Sequence, residues 1–338
     1  MIRFRQKLNQ ILHLPILRHF TQVAFALFLL IVGWQFYGFV RYFATLGQSE
    51  YYNRPPVVEA FLPISALVGL KSWLSNGIFD QVHPAGLVLL LTIVGVAFLF
   101  RKAFCSWICP IGALFEATSK LGKLIMGKSR RLPFWLDYPL MSLKYILLAF
   151  FVKFVLIDMP GQAALAFTQS PYNMISDVKM MNFFFNLSST GLIVIFCLFL
   201  GSFFLHSFWC RYLCPYGALL GLVSWLSPMY VARNKELCID CGKCDKVCPN
   251  SIQVSCKDKV LSPECTACLN CISSCPKHKA LEIRLLGWVF LKDWRFPLLL
   301  VMVFVIVSTI AKFTGNWYTQ VPEEMFRILI PRADEFNH

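Results

Sequence analysis

The sequence predicts an α-helical multi-pass membrane protein, about five transmembrane helices interrupted by one polar, cysteine-rich insertion. Three observations carry this reading. Of 338 residues, 57% are hydrophobic, above the roughly 45–50% of an ordinary soluble domain, and the mean hydropathy is +0.60. The apolar residues gather in five long runs. The 14 cysteines are clustered rather than scattered. A formal net charge of +14 would suit a nucleic-acid binder, but not at this hydropathy. A disordered basic tail would be less apolar, and a disulfide mini-protein would be far shorter.

A span needs about 20 mostly apolar residues. The five runs cover about 20–42, 86–104, 136–157, 185–204 and 296–311. Lys144 and Lys153 lie near the ends of the third, where long side chains can snorkel to the headgroups. The first run is too long for a signal-peptide core and has no small-residue cleavage site after it, so it reads as a retained anchor. Arg3, Arg5, Lys7 and Arg18 precede the first run. Arg101, Lys102, Lys120, Lys123, Lys128, Arg130 and Arg131 lie between the second and third. The positive-inside rule makes both segments cytoplasmic, with the C-terminus periplasmic and the bilayer a bacterial inner membrane. The basic run 128–131 reads as an anchor on anionic lipid. No cysteine falls in the outer loops or the tail, as expected for thiolate sites kept in a reducing compartment. The expected domains are a basic N-terminus (1–19), a four-helix membrane domain (20–228), a cytoplasmic cysteine-rich domain (229–285), a fifth helix (286–311) and a periplasmic tail (312–338).

The second run ends in CSWICPIGAL from Cys105 and the fourth in CRYLCPYGAL from Cys210, 105 residues later and identical at six of ten positions. This predicts a duplicated two-helix unit with its pseudo-two-fold along the membrane normal. One Cys-x3-Cys-Pro could be a mere helix end. Two, in frame and on one side, argue for chemistry. Residues i and i+4 share a helix face, so Cys105, Cys109, Cys210 and Cys214 could together hold a third iron–sulfur cluster. Reversible dithiols and a closed zinc site remain as alternatives.

The insertion reads CIDCGKCDKVCP from Cys238 and CTACLNCISSCP from Cys265. Both are C-x2-C-x2-C-x3-C-P, the spacing of bacterial two-cluster ferredoxins, in which the fourth cysteine ligates the other cluster. Carried over, Cys238, Cys241, Cys244 and Cys275 hold one 4Fe-4S cluster, and Cys265, Cys268, Cys271 and Cys248 the second. Zinc sites show two pairs rather than two runs of four. Cys197 and Cys256 fit no ligand pattern and read as bystanders.

These motifs, together with RPPVVEAFLPI from Arg54, HPAG from His83 and SPYN from Ser170, resemble the NapH/NosR-type 4Fe-4S polyferredoxin membrane proteins. The closest likeness is to a stand-alone form of the C-terminal half of NosR, over roughly residues 20–317. The resemblance implies quinol-linked electron transfer to periplasmic reductase systems. There are two departures: the N-terminal flavin domain of NosR-type proteins is absent from this sequence, and NapH-type chains usually have four spans. Neither nitrate nor nitrous oxide respiration is therefore assigned.

The outer segment from Arg54 to Trp73 is too apolar for a free loop. LPISALVGLKSWL could form a short interfacial helix, as a plug or as the rim of a quinone site with Arg54, Glu59 or Lys71. His83 and His206 stand at opposite ends of their runs and cannot share a haem. The apolar MFRILI of the tail suggests docking onto a partner or the membrane surface. No phosphate-binding loop, dinucleotide fingerprint or hydrolase triad is present, and no nucleic-acid partner is expected. The leading expectation is an electron-transfer subunit of a larger quinol-linked complex. It would pass electrons between quinone or a periplasmic redox partner (a flavin or haem protein) and the cytoplasmic clusters, or a cytoplasmic carrier. The alternative is a maturation factor that reduces a metal or disulfide for a partner respiratory enzyme.

Overall fold

The computed structural model describes residues 14–127, 132–277, 279–289 and 295–336. Arg3, Arg5, Lys7 and the basic run 128–131 lie outside them. In chain order the main helices are α1 (Leu14–Ala44), α2 (Pro63–Asn76), α3 (Pro84–Phe100), α4 (Pro110–Met126), α5 (Phe134–Phe151), α6 (Gly161–Thr168), α7 (Ser176–Phe185), α8 (Ser189–Phe204), α9 (Pro215–Trp225), α10 (Arg295–Phe313) and α11 (Glu323–Leu329).

Each of the five apolar runs is largely helical. Among the described residues, three helices are long and apolar enough to cross a membrane: α1, Trp135–Asp158 (α5 with the wider turn that follows it) and α10. A fourth is reached if α7 and α8, bent by 81° at their break, count as one span. The break has a local cause. Asn186 leaves the helical region, and the Ser188 hydroxyl then accepts the Gly191 N–H at 3.1 Å to restart the helix. The helix α3 has only 17 residues. It stops because Arg101 is left-handed, with φ +57°.

By its contacts the chain forms two compact units, Met1–Ala26 with Ile93–Leu148 and Val194–Val303, and Leu27–Thr92 with Ala149–Ile193 and Phe304–His338. The first carries the clustered cysteines. Its polar part is a four-stranded antiparallel sheet ordered β2-β1-β3-β4, with β1 Met229–Arg233, β2 Lys259–Val260, β3 Leu281–Leu285 and β4 Trp288–Val289. Val231 pairs with Val260 on one side and Ile283 on the other. Val231, Ile252, Val254, Val260 and Leu281 form a small core against which Cys244, Cys248, Cys265, Cys271 and Cys275 pack.

In the second unit, α2 forms as its two signals predict: Pro63 at the first position, and Gly77, left-handed at φ +73°, as the stop. The helix does not lie loose. Val68 packs with Val155 and Ala164 in one cluster. The tail also differs from expectation. Phe326, Leu329 and Ile330, one face of a helix at spacings of three and four, are buried against Phe36, Phe39 and Phe43 of this same chain. Phe39 meets Phe326 edge-on at 5.5 Å.

In the first unit α4 and α8 approach closely at Gly122, where an added Cβ would stand 2.0 Å from the Phe203 carbonyl oxygen. Gly122→Ala should therefore cost about 1–3 kcal/mol by overpacking, read as a lower melting midpoint in detergent. Gly95→Ala, whose Cβ meets nothing within 4 Å, should be neutral or gain up to about 1 kcal/mol of helix propensity.

Candidate metal centres

The two ferredoxin-like loops share one backbone course. In the first, Asp240 and Gly242 flank Cys241 at φ +49° and +62°. In the second, Ala267 and Leu269 flank Cys268 at φ +48° and +62°. Left-handed residues on both sides of the middle cysteine curl the chain, and three of the four are not glycine, a cost retained where geometry matters more than stability. Each loop then enters one helical turn, Lys243–Val247 or Asn270–Ser273. Cys238, Cys241, Cys244 and Cys275 line one open cavity together. Cys265, Cys268, Cys271 and Cys248 form the other group. Burial raises the Cys271 thiol, and the charges of Cys268, Cys265 and Cys248 push it further. Cys241 is exposed, as are Cys197 and Cys256.

The Cys-x3-Cys-Pro motifs are not single helices, so the i, i+4 argument fails in detail. Cys105 sits on a short turn, Ala103–Trp107, and Cys109 is the extended residue that caps α4. Cys210 sits on a wide turn, Trp209–Leu213, and Cys214 caps α9. Left-handed Arg101 and Ser207 precede them, and Pro110 and Pro215 open the next helices. The proline is thus a helix start rather than a stop. The Gly217 N–H donates to Cys214 Sγ at 3.2 Å, so a helix N-terminus faces sulfur. The four sulfurs come together: Cys105 lies within electrostatic reach of Cys109 and Cys214, and Cys210 of all three. Burial, with the neighbouring sulfurs, pushes Cys105 up to about 12 and Cys109 up to about 11. Tyr216 of the second motif is close to Cys105, Cys109 and Cys214.

The two kinds of site are joined. Ser106 Oγ donates to the Thr266 carbonyl at 2.7 Å, Trp107 Nε1 to the Ala267 carbonyl at 3.0 Å, and Arg101 Nη2 to the Ser262 carbonyl at 2.6 Å. The segment bearing Cys105 is therefore tied to the loop bearing Cys265 and Cys268. Lys144, expected to snorkel, is instead buried, with Nζ 2.7 Å from Glu264 Oε1. Lys153 is exposed and paired with Asp158. Glu264 also faces Lys102 at 3.5 Å. Burial alone would raise its carboxyl, but Lys102, Lys144 and the Tyr145 hydroxyl hold it down to about 2.

These surroundings fit anionic iron–sulfur groups. Buried Arg101 reaches two carbonyls and Cys265 but no carboxylate, and Arg101 Nε and Arg18 Nε have no hydrogen-bond partner among the described residues. Arg18 also lies within reach of Cys268. Among those residues no three His, Cys, Asp or Glu converge as they would on a single metal ion, whereas a cubane's thiolates stand further apart. The cysteines would hold the clusters and supply four thiolates to each, and the clusters would supply one-electron storage.

In the second unit, Arg54 and Glu59 do meet, at 2.7 Å, but within a buried network rather than at a rim. Arg54 also pairs with Asp177 at 2.7 Å. His83 Nε2 donates to the Asn173 carbonyl at 2.6 Å, and its Nδ1 lies 3.6 Å from Glu59. Burial would lower the His83 pKa, but the hydrogen bond and charge of Glu59 outweigh it and raise it. Lys71 is elsewhere, donating to the Leu156 carbonyl at 2.8 Å.

A family described as a 4Fe-4S binding domain matches residues 82–129 and 188–230, and a 4Fe-4S dicluster domain matches residues 230–276. YccM of Escherichia coli (strain K12) is 41% identical over 327 residues, 95% of this chain and 91% of its own length. The chain belongs to the YccM-like family of electron transport proteins. The NapH/NosR resemblance is also shown. The ferredoxin-type protein NapH of E. coli (strain K12) is 24% identical over 62% of this chain and 70% of its own. The regulatory protein NosR of Pseudomonas aeruginosa is 28% identical over 55% of this chain, which is 25% of NosR. No solved structure matches.

For this YccM-like chain, sequence reasoning missed the site roles of Lys102, Lys144, Arg101, Arg18, Tyr216, Asp177 and Asn173. The SPYN and HPAG motifs were the available signal for the last pair's network; the cations read only as topology. Removing one member of the Arg54 network should be costly. Arg54→Met leaves Glu59 and Asp177 buried without their guanidinium and should destabilise the protein by about 3–5 kcal/mol, seen as a lower denaturation midpoint. A change below about 0.5 kcal/mol, typical of a surface site, would contradict this account.

Proposed function

We propose that the chain is a membrane-bound electron relay of a bacterial inner membrane. Two 4Fe-4S clusters sit in a cytoplasmic head, and a third Fe-S cluster on Cys105, Cys109, Cys210 and Cys214 links them to the membrane. The first cluster takes Cys238, Cys241, Cys244 and Cys275, and the second Cys265, Cys268, Cys271 and Cys248. The domain limits stated above, five spans and a duplicated two-helix unit belong to this reading. Its main support is the hydrogen-bonded tie between the Cys105 segment and the loop of Cys265 and Cys268. Electrons can then pass from the open Cys238 cavity through the second group to the membrane motifs without leaving one packed unit.

The far end of the relay is quinol or a periplasmic redox partner. Oxidising a quinol releases two protons and two electrons, and clusters accept electrons one at a time. The Glu59–His83 pair offers proton acceptors for that step. The wider NapH/NosR setting supports redox partners of this kind.

Iron analysis of anaerobically purified protein tests the relay. About twelve irons per chain are expected from three four-iron groups, and Cys105→Ser with Cys210→Ser should remove about four. About eight in the parent would overturn the third cluster. A quinol analogue should bleach the cluster absorption of the full protein. Failure to do so, alongside defective metallation of a partner enzyme in a deletion strain, would favour the maturation factor.

A further inference from the structure

We infer that Lys102 and Lys144 are positioning residues that keep the Cys105/Cys109/Cys210/Cys214 site reducible, with Glu264 as the counterweight that trims their effect. The inference rests on the proposed third cluster. Both lysines are buried, at 3% and 0% exposure, and they come from different segments, the turn just after α3 and the middle of α5. Lys102 lies within electrostatic reach of Cys105, Cys210 and Cys214, and Lys144 of Cys105 and Cys214. Their shared carboxylate is Glu264, 2.7 Å from Lys144 and 3.5 Å from Lys102. Two positive charges against one leave +1 facing four sulfurs.

The chemistry needs such a charge. Adding one electron to a group already held by four thiolates makes it more negative. Burial opposes that step, since the low dielectric strengthens every charge interaction. Nearby ammonium groups favour it for the same reason. The head offers a contrast. At the Cys238 cavity, Arg233 is paired with Asp240 and lies near Asp258. Glu264 also adjoins Cys265, so the three residues form an electrostatic link between the membrane motifs and the second head group.

An EPR-monitored titration with dithionite as the one-electron reductant, on the full anaerobic protein, tests this. The signal of interest is the one lost in Cys105→Ser. Lys102→Met and Lys144→Met should each lower its midpoint by at least a tenfold change in the reduced-to-oxidised ratio, about 59 mV for one electron. Lys144→Arg should restore it. Glu264→Gln, which frees both lysines, should move it the opposite way, an effect that a purely structural role would not produce. The signal of the Cys238 group should stay in place. A midpoint unmoved by both methionine variants, or lowered by Glu264→Gln, overturns the inference while leaving the third cluster standing. A parent protein with about eight irons and no such signal overturns the cluster instead. Should a methionine variant fail to fold, Glu264→Gln and Lys144→Arg still decide the sign.

Discussion

A cation taken out of water costs several kcal/mol unless a counter-charge goes with it. In the cysteine-bearing unit, Arg18, Arg101, Lys102, Lys144 and Arg211 are all buried. The carboxylates that meet them are Glu116, Glu264 and Asp137. Five positive charges against three negative leave an excess of two, and these cations lie beside the cysteines. Thiolate-bound clusters are anionic, so cations in excess of carboxylates are the surroundings they need. In the second unit the sign is reversed. There Arg54 faces Glu59 and Asp177, and Asp80 is a further buried carboxylate.

The backbone serves the same end. Sulfur ligands need their chain held in tight curves, and regular helix cannot supply them. Left-handed residues on either side of Cys241 and Cys268 make those curves in the head. At the membrane motifs, a left-handed break followed by a Pro-initiated helix does so. Gly112 shows how tight the fit is, since a Cβ there would stand 2.3 Å from the Cys105 carbonyl oxygen. The four-stranded sheet meets the head loops across an apolar floor that includes Val231, Val254 and Val260.

Much of this was legible in the sequence, for identifiable reasons. Apolar runs of span length announce helices because a bilayer admits little else, and cysteine spacing announces clusters because a cubane fixes ligand geometry. The break of α3 at Arg101 was not legible. A left-handed arginine has no signature, and the i, i+4 reading of Cys105 and Cys109 depended on an unbroken helix. Lys144 was misread because a lysine in an apolar run looks the same whether it snorkels or meets Glu264, 120 residues away. The tail was misread for a related reason. An apolar helix face states that it will be covered, not by what, and Phe326 found Phe39 of its own chain.

The surroundings of the sulfurs also bear on what kind of reducing agent this family member can be. A factor that reduced disulfides directly would attack with a thiolate, forming a mixed disulfide with its substrate. Cys105, Cys109 and Cys210 are poorly suited to that. Their thiols are pushed upward by burial and by one another, and their motif is tied to the Cys265 loop by Ser106 and Trp107. Electron transfer has no such requirement, because no atom has to reach the sulfur. A cation-lined sulfur site tied to a second sulfur site is the arrangement the proposed relay requires. On the proposed reading a maturation role would run on the same clusters, so the two readings differ in the acceptor rather than in the wiring.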